Sequence, residues 1–277
     1  MTSKIKFIFI LSAFLLINHQ SFAGNDVILN YGIYAGGFKV AIAELDMSTK
    51  GDNYQMNLNA ETQGFIGKLF PWEAEYNTKG VNKDGTLTPT SVERTSAWRG
   101  REKTTSLHYD DKGQVTDKTI KKDGKTHSKE QVDKLLSGNA VDVLTSVLNM
   151  MEIVRKSNEC SGVIPVFDGK RKFNINLKNE GKKIIQPSRY SVFSGESIKC
   201  TLTVEPLEGF KEKDKKRGWM AIQNHSQEHN SLPTIWLAKT EKSQDIIPVR
   251  LELKSSYGTV IAHLTAETLK SKIKENN

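Results

Sequence analysis

The chain has 277 residues, 37% of them apolar and 26% charged, with a formal net charge of +8. With the glycines added, the apolar share falls just short of that of ordinary globular domains, which excludes a wholly disordered chain and a protein of many membrane spans. The positive balance comes from scattered lysines and not from an aromatic-studded basic motif, so it argues against nucleic acid and fits attraction to anionic lipid or glycan.

Lys4 and Lys6 precede an uncharged apolar run over 7–17, and Ser21 and Ala23 place small residues before Gly24. This pattern predicts an export signal over 1–23, cleaved after Ala23; the alternative is an uncleaved anchor. The run is too short to span a bilayer, and no later segment approaches the ~20 apolar residues of a spanning helix. No transmembrane segment is therefore expected after signal cleavage. No cysteine follows the run closely, which argues against a lipid anchor.

Apolar and polar residues then alternate over 27–34 and 38–47, and Gly36-Gly37 between them supplies the positive φ of a tight hairpin. Alternation continues over 54–62, and further strands are expected over 72–78, 91–98 and 104–109, with turns at Asp84-Gly85 and Lys112-Gly113. The lysine-rich stretch 117–134 reads as a solvated loop, with a docking surface for anionic lipid as its alternative.

The period then changes. Val141, Leu144, Val147, Leu148, Met151 and Val154 recur at three- and four-residue steps, which predicts an amphipathic helix over 139–156 with Asn139 as its N-cap. Its apolar stripe needs a partner, and a curved sheet is the obvious one. Strands return over 162–167, 172–177, 183–192 and 199–204. After a polar, irregular stretch over 208–230 they close the chain over 234–239, 246–254 and 259–265, with Tyr257-Gly258 turning the last pair. The expected fold class is mainly β: a curved, half-barrel-like antiparallel sheet packed around one main α-helix. Residues 24–277 form one β-rich domain in this reading, or two related halves, 24–135 and 157–270, on either side of the helix.

Cys160 and Cys200 are the only cysteines. An even count in an oxidising compartment favours a disulfide, and a reactive thiol with a histidine partner is the competing reading. No Walker loop, dinucleotide fingerprint or nucleophile elbow occurs, and no cofactor is implied. His225 and His229 fall in an H-x-x-E-H pattern, which zinc peptidases use when both imidazoles share a helix face. Here the flanking residues carry no apolar stripe to dock a helix, so a plain polar loop is expected, with a metal-dependent hydrolase as an alternative. Between Gly64 and Trp72, Phe65, Ile66, Leu69, Phe70 and Trp72 put more apolar surface into one connection than a solvated loop needs. They form either a loop folded over the open end of the sheet or a hydrophobic lip that contacts an acyl chain or a protein partner. Trp98, Trp219 and Trp236 read as core or sheet-face residues.

Several of these pieces occur in a familiar order: Tyr34 to Ala41 (YAGGFKVA), the helix with Asp142, Phe167-Asp168-Gly169-Lys170-Arg171, Cys200 followed by Glu205 to Phe210 (EPLEGF), Ile235-Trp236-Leu237, Pro248-Val249-Arg250 and Tyr257-Gly258. In that order the chain resembles the proteins grouped as domain-of-unknown-function family 3108. The resemblance implies an exported protein of Gram-negative bacteria, hence a periplasmic location, and no activity. It also implies a half-open sheet around a helix, similar to periplasmic lipoprotein carriers. The expected function is a non-enzymatic binding or envelope-maintenance protein with an apolar cleft between helix and sheet for a lipid-like or hydrophobic small molecule. An interaction module with a filled core and an envelope protein as partner is the alternative.

Overall fold

The computed structural model describes residues 26–270 except 133, 217, 256 and 257. The expected export signal and Tyr257 lie outside the described residues. Eight strands come first: β1 (Val27–Ala35), β2 (Phe38–Lys50), β3 (Asn53–Thr62), β4 (Trp72–Lys83), β5 (Thr86–Trp98), β6 (Arg101–Tyr109), β7 (Val115–Lys122) and β8 (Lys125–Glu130), with a short helix α1 (Gly64–Leu69) between β3 and β4. Helices α2 (Lys134–Ser137) and α3 (Val143–Ser157) follow, then β9 (Gly162–Phe167), β10 (Lys172–Ile185) and β11 (Gly195–Glu208). Helices α4 (Glu212–Lys215) and α5 (Gly218–Glu228) precede β12 (Thr234–Lys239), β13 (Ile246–Ser255) and β14 (Gly258–Leu269).

The strands form one 14-stranded sheet in the order β8-β7-β6-β5-β4-β3-β2-β1-β14-β13-β12-β11-β10-β9. Neighbouring strands pair antiparallel throughout, so nearly every connection is a hairpin and the crossover helix α3 is the exception. The sheet curls far enough for its two ends to approach: Phe167 of β9 shares a core with Val92 and Leu107 of β5 and β6. The fold is thus mainly β, an open curved sheet around one main helix, as the alternation predicts.

Helix α3 fills the inside of that curl. Leu144 joins Leu29, Met47, Met56, Ile247 and Leu264 in one core cluster. Met150 and Val154 join Ile164, Leu202, Leu237 and the cysteines in a second. Cys160 and Cys200 form a disulfide across the second cluster, with both residues fully buried.

The start of α3 corrects the sequence reading. Asn139 does not cap it; that residue adopts φ 54°, and Val141 pairs with Val166 as an isolated parallel bridge. Asp142 is the cap, its Oδ1 accepting the backbone N–H of Leu144 at 2.9 Å and of Thr145 at 3.2 Å. It also accepts the hydroxyl of Thr78 at 2.9 Å and that of Thr145, whose oxygen lies 2.8 Å from the Tyr54 hydroxyl. Tyr54 reaches there because Gly80 stands opposite it in the ladder: a Cβ at Gly80 would lie 2.3 Å from the tyrosine ring. The C-terminus closes on Asn158 at φ 56°, with Arg155 and Lys156 in the last turn bonded to Glu152.

Three other expectations change. The stretch 117–134 is mostly strand: β7 and β8 turn at Asp123-Gly124, both at positive φ, as a two-residue hairpin requires. The polar stretch 208–230 holds α4 and α5. Helix α5 docks through Met220 and Trp219 and through hydrogen bonds: Gln223 accepts the N–H of Val204 and donates to its carbonyl, and Ser226 donates to the carbonyl of Lys254. The strand expected over 183–192 ends at Ile185, because Pro187 has no N–H to donate to a ladder.

The packing makes three outcomes testable. The disulfide spans 40 residues of sequence, and the chain-entropy account gives about 4 kcal/mol for closing such a loop; urea unfolding of a Cys160→Ser, Cys200→Ser double variant should show that loss. Burial pushes the Asp142 carboxyl above the ordinary aspartate range, against four hydrogen bonds that pull it down. Such a group binds its proton more tightly in the folded chain, so its contribution is full below the unfolded pKa of ~3.9 and is lost as pH rises through the raised folded value. Urea melts from about pH 4 to pH 7 should therefore show wild-type stability falling relative to Asp142→Asn. Asp142→Ala, which also strands Thr78 and Thr145, should cost about 3 kcal/mol at neutral pH.

Candidate functional site

Strand alternation tells which side chains face α3. Thr78 and Tyr54 touch the helix, so every second residue from them shares that face. The ladder extends the assignment across strands. One transverse row on this face reads Tyr31, Ala43, Ala60, Ala74, Ser96. On the core side of it lies a row of Leu29, Leu45, Leu58, Tyr76 and Arg94. On its other side Trp72 pairs with Trp98.

The small side chains of the first row leave a shallow trough on this face; the cavity of about 660 Å³ that touches Ala43, Ala60 and Ala74 is lined mostly from the alternate face, by Glu44, Glu61, Glu73, Glu75 and Glu102 among others. Ala43, Ala60, Ala74 and Ser96 are half-buried, as are Leu58, Tyr76 and Arg94 of the neighbouring row, whereas Leu29 and Leu45 are buried. The trough crosses three strand spacings, ~14 Å. Tyr31 closes one end: its hydroxyl donates to the carbonyl of Pro248 at 2.8 Å, and burial, with the charge of Glu267, holds its phenol far above the usual tyrosine range.

Above the trough stands an exposed apolar rim. Phe65 is 72% exposed, Leu69 and Phe70 46% each and Trp72 36%, and Ile66 is half-buried. Helix α1 carries Phe65, Ile66 and Leu69, with Phe70 as its C-cap, and sits tightly on the end of β3, where a Cβ at Gly67 would lie 2.8 Å from the carbonyl of Thr62. The Thr62 hydroxyl donates to the Phe70 carbonyl at 2.9 Å and accepts the Trp72 N–H at 3.0 Å, which fastens the return into β4. Phe38 and Trp98 belong to the same end, and sequence reasoning missed both as surface groups. Trp98 leads into the Arg99-Gly100 turn, and Phe38 follows the Gly36-Gly37 turn, so hairpin-tip position was the available signal. The Phe70 and Trp98 rings lie 6.3 Å apart. Trp236 is buried as expected, Trp219 is half-buried, and Trp98 is not a core residue.

The helix–sheet junction itself is packed rather than open. Its residual cleft, of about 80 Å³, lies between α3 and the β2–β3 turn and is lined by Val27, Met47, Leu87, Leu148, Met151 and Ile247. Glu152 and Arg155 border it. That turn is at the far end of β3 from α1, ten residues or ~33 Å of strand away. The rim over 65–72 therefore does not guard the junction cleft. It lies at the same end of the sheet as the trough.

His225 and His229 stand on the last turn of α5 and just past it, not in a loop. With Glu228 they place three ligand atoms within 4.8 Å of one another on the surface. His229 Nδ1 lies 2.8 Å from the His225 carbonyl, an arrangement that leaves Nε2 free to bind an ion. These are the residues that could hold a metal. They are remote in the sheet order from trough and rim, and Glu228 and His229 are exposed.

Fold and site together define a mostly β protein whose curled sheet, plugged by one helix, keeps part of its inner face open beneath an aromatic rim. The family described as "Protein of unknown function (DUF3108)" matches residues 30–265, and the chain belongs to it. No curated protein matches the chain. Among solved structures, the crystal structure of a beta-barrel-like protein of the domain of unknown function DUF1849 from Brucella abortus is similar. The two share 8% identity with a TM-score of 0.51, over 89% of this chain and 98% of that one. At that identity the likeness concerns the fold alone.

Proposed function

We propose that the chain is an exported, non-enzymatic binding protein of the Gram-negative envelope, and that its trough takes the apolar chain of a lipid-like ligand. The observation that carries this is the row Ala43, Ala60, Ala74 and Ser96 beside Phe70, Trp72 and Trp98: small, half-buried side chains at the end of the inner face that the helix does not cover. An apolar chain laid across them would bury surface worth roughly 25 cal/mol per Å². The rim would cover its outer side. Export is supported by the signal-like residues 1–23, by the disulfide, and by the family resemblance. Among the described residues no helix is long and apolar enough to cross a membrane. The lack of Walker and nucleophile-elbow patterns supports binding over catalysis.

A second reading is favoured by the packed helix–sheet junction: the rim meets an envelope protein, and the trough is incidental. Calorimetric titration with dodecyl maltoside below its micellar concentration separates the two. The lipid reading expects binding to the wild type and at least tenfold weaker binding to Ala74→Phe, which fills the trough from an open face. Wild-type affinity in an Ala74→Phe chain of unchanged melting temperature would refute it. The protein reading expects photo-crosslinks from position 65 to one partner, abolished by Phe70→Ser.

A further inference from the structure

The row that floors the trough continues past Ser96. Lys103 stands opposite Ser96, and Lys122 opposite Lys103, so the small residues end on two ammonium groups on the same face. Arg94 lies one row toward the core. Its Nη1 donates to the Tyr76 hydroxyl at 3.0 Å and its guanidinium sits 5.6 Å from that ring's centre, so an uncharged partner holds it in place. From across the curl, the β9–β10 turn brings Lys170 to the same region; Gly169 beside it packs near Thr105 and Leu107 of β6.

These charges are unevenly neutralised. Lys118 pairs with Glu130 at 2.6 Å and Lys170 with Asp214 at 2.9 Å. Lys122 lies 3.0 Å from His127 Nε2. Arg94 and Lys103 meet no carboxylate among the described residues. The acids of these strands, Glu73, Glu75, Glu93 and Glu102, occupy the alternate positions and face the other way. Burial, and then the positive charges of Arg94, Lys118, Lys122 and Lys170, pull the Lys103 ammonium below the ordinary lysine range. Lys103 and Lys122 are exposed and Arg94 is half-buried, and like charges gathered on one face repel. An anion between them would offset that repulsion.

We propose that the trough is selective for anionic amphiphiles, with the apolar chain over Ala43, Ala60 and Ala74 and the acidic group, a phosphate or carboxylate, between Arg94, Lys103 and Lys122. The inference rests on the reading of the trough as a chain-binding site and adds the chemistry of the ligand's head. Arg94 supplies a planar fork suited to two oxygens of one acidic group, and the lysines supply point charges. Ser96 stands where the chain would meet its head, with a hydroxyl for a bridging oxygen.

The test is calorimetry on the full chain with three probes: dodecyl phosphate, dodecyl maltoside and inorganic phosphate, the surfactants below their micellar concentrations. At low salt, dodecyl phosphate should bind at least tenfold more tightly than dodecyl maltoside, and the advantage should shrink as salt screens it. Arg94→Gln with Lys103→Gln should abolish the advantage and leave dodecyl maltoside binding as in the wild type. Lys103→Gln alone should melt no lower than the wild type, because the side chain is exposed and its loss relieves repulsion, so a loss of selectivity there is not a loss of fold. Equal affinity of the wild type for the two surfactants, or an advantage that survives in the double variant, overturns the anionic selectivity and leaves the trough reading standing. Inorganic phosphate binding as tightly as dodecyl phosphate overturns the amphiphile and assigns the cations to a free anion. A wild type that binds neither surfactant overturns the trough and this inference with it.

Discussion

The buried carboxylate of Asp142 sets where helix meets sheet. It closes the first turn of α3, takes the hydroxyl of Thr78 from β4, and through Thr145 reaches Tyr54 on β3. A carboxylate removed from water is costly unless its oxygens are fully engaged, so this arrangement tolerates little displacement. Once the helix start is held against β3 and β4, the direction of the helix follows, and with it the side on which Met150 and Val154 meet the disulfide and β9 to β12. The same placement leaves the ends of β2 to β6 that carry the hairpin turns at 36–37 and 99–100 beyond the reach of the helix.

That uncovered part of the inner face has an unusual surface. A sheet face that packs on a helix needs bulk, and the rows against α3 supply it with Leu29, Leu45, Met47 and Met56. The next row is alanine and serine, and the one beyond it includes the Trp72–Trp98 pair. Cations stand at one end of the small row, and the acids of the same strands stand on the opposite face. Period-two geometry turns a locally mixed sequence such as Glu93-Arg94-Thr95-Ser96 into two faces of different charge, with no run of like charge along the chain. The electrostatic character of the site is therefore a property of the sheet and invisible in composition.

Much of the β framework was legible because its turns are chemically marked. Gly36-Gly37, Asp84-Gly85 and Asp168-Gly169 each sit at a strand boundary, with the second residue of each at positive φ. Asp123-Gly124 is an equally clear signal, and the lysines around it obscured two strands: an edge hairpin carries charge on both faces to discourage further pairing, and so shows weak alternation. Helix α5 was illegible for a different reason. Two hydrogen-bonding side chains, Gln223 and Ser226, share its buried face with Met220, and so little apolar content marks no face in the sequence. Asn139 looked like a cap because residue type alone cannot tell a cap from a left-handed turn; Asp142 owes the role to a backbone already extended by its neighbour's bridge to β9.

Of the candidate site, the run from Phe65 to Trp72 was visible as excess apolar surface in a connection, since that judgement needs only local composition. Its place was not: Phe38, Trp98 and the trough join it through pairings between strands far apart in the chain. By itself the sequence determined the β class, the single amphipathic helix and the even cysteine count, because periodicity and turn chemistry are local properties of the chain. Only the tertiary structure decided that the helix–sheet junction is filled, that Cys160 and Cys200 join, and that alanines, tryptophans and unneutralised cations share one face. Those outcomes depend on cross-strand register, and register is a long-range agreement among strands that no single strand encodes.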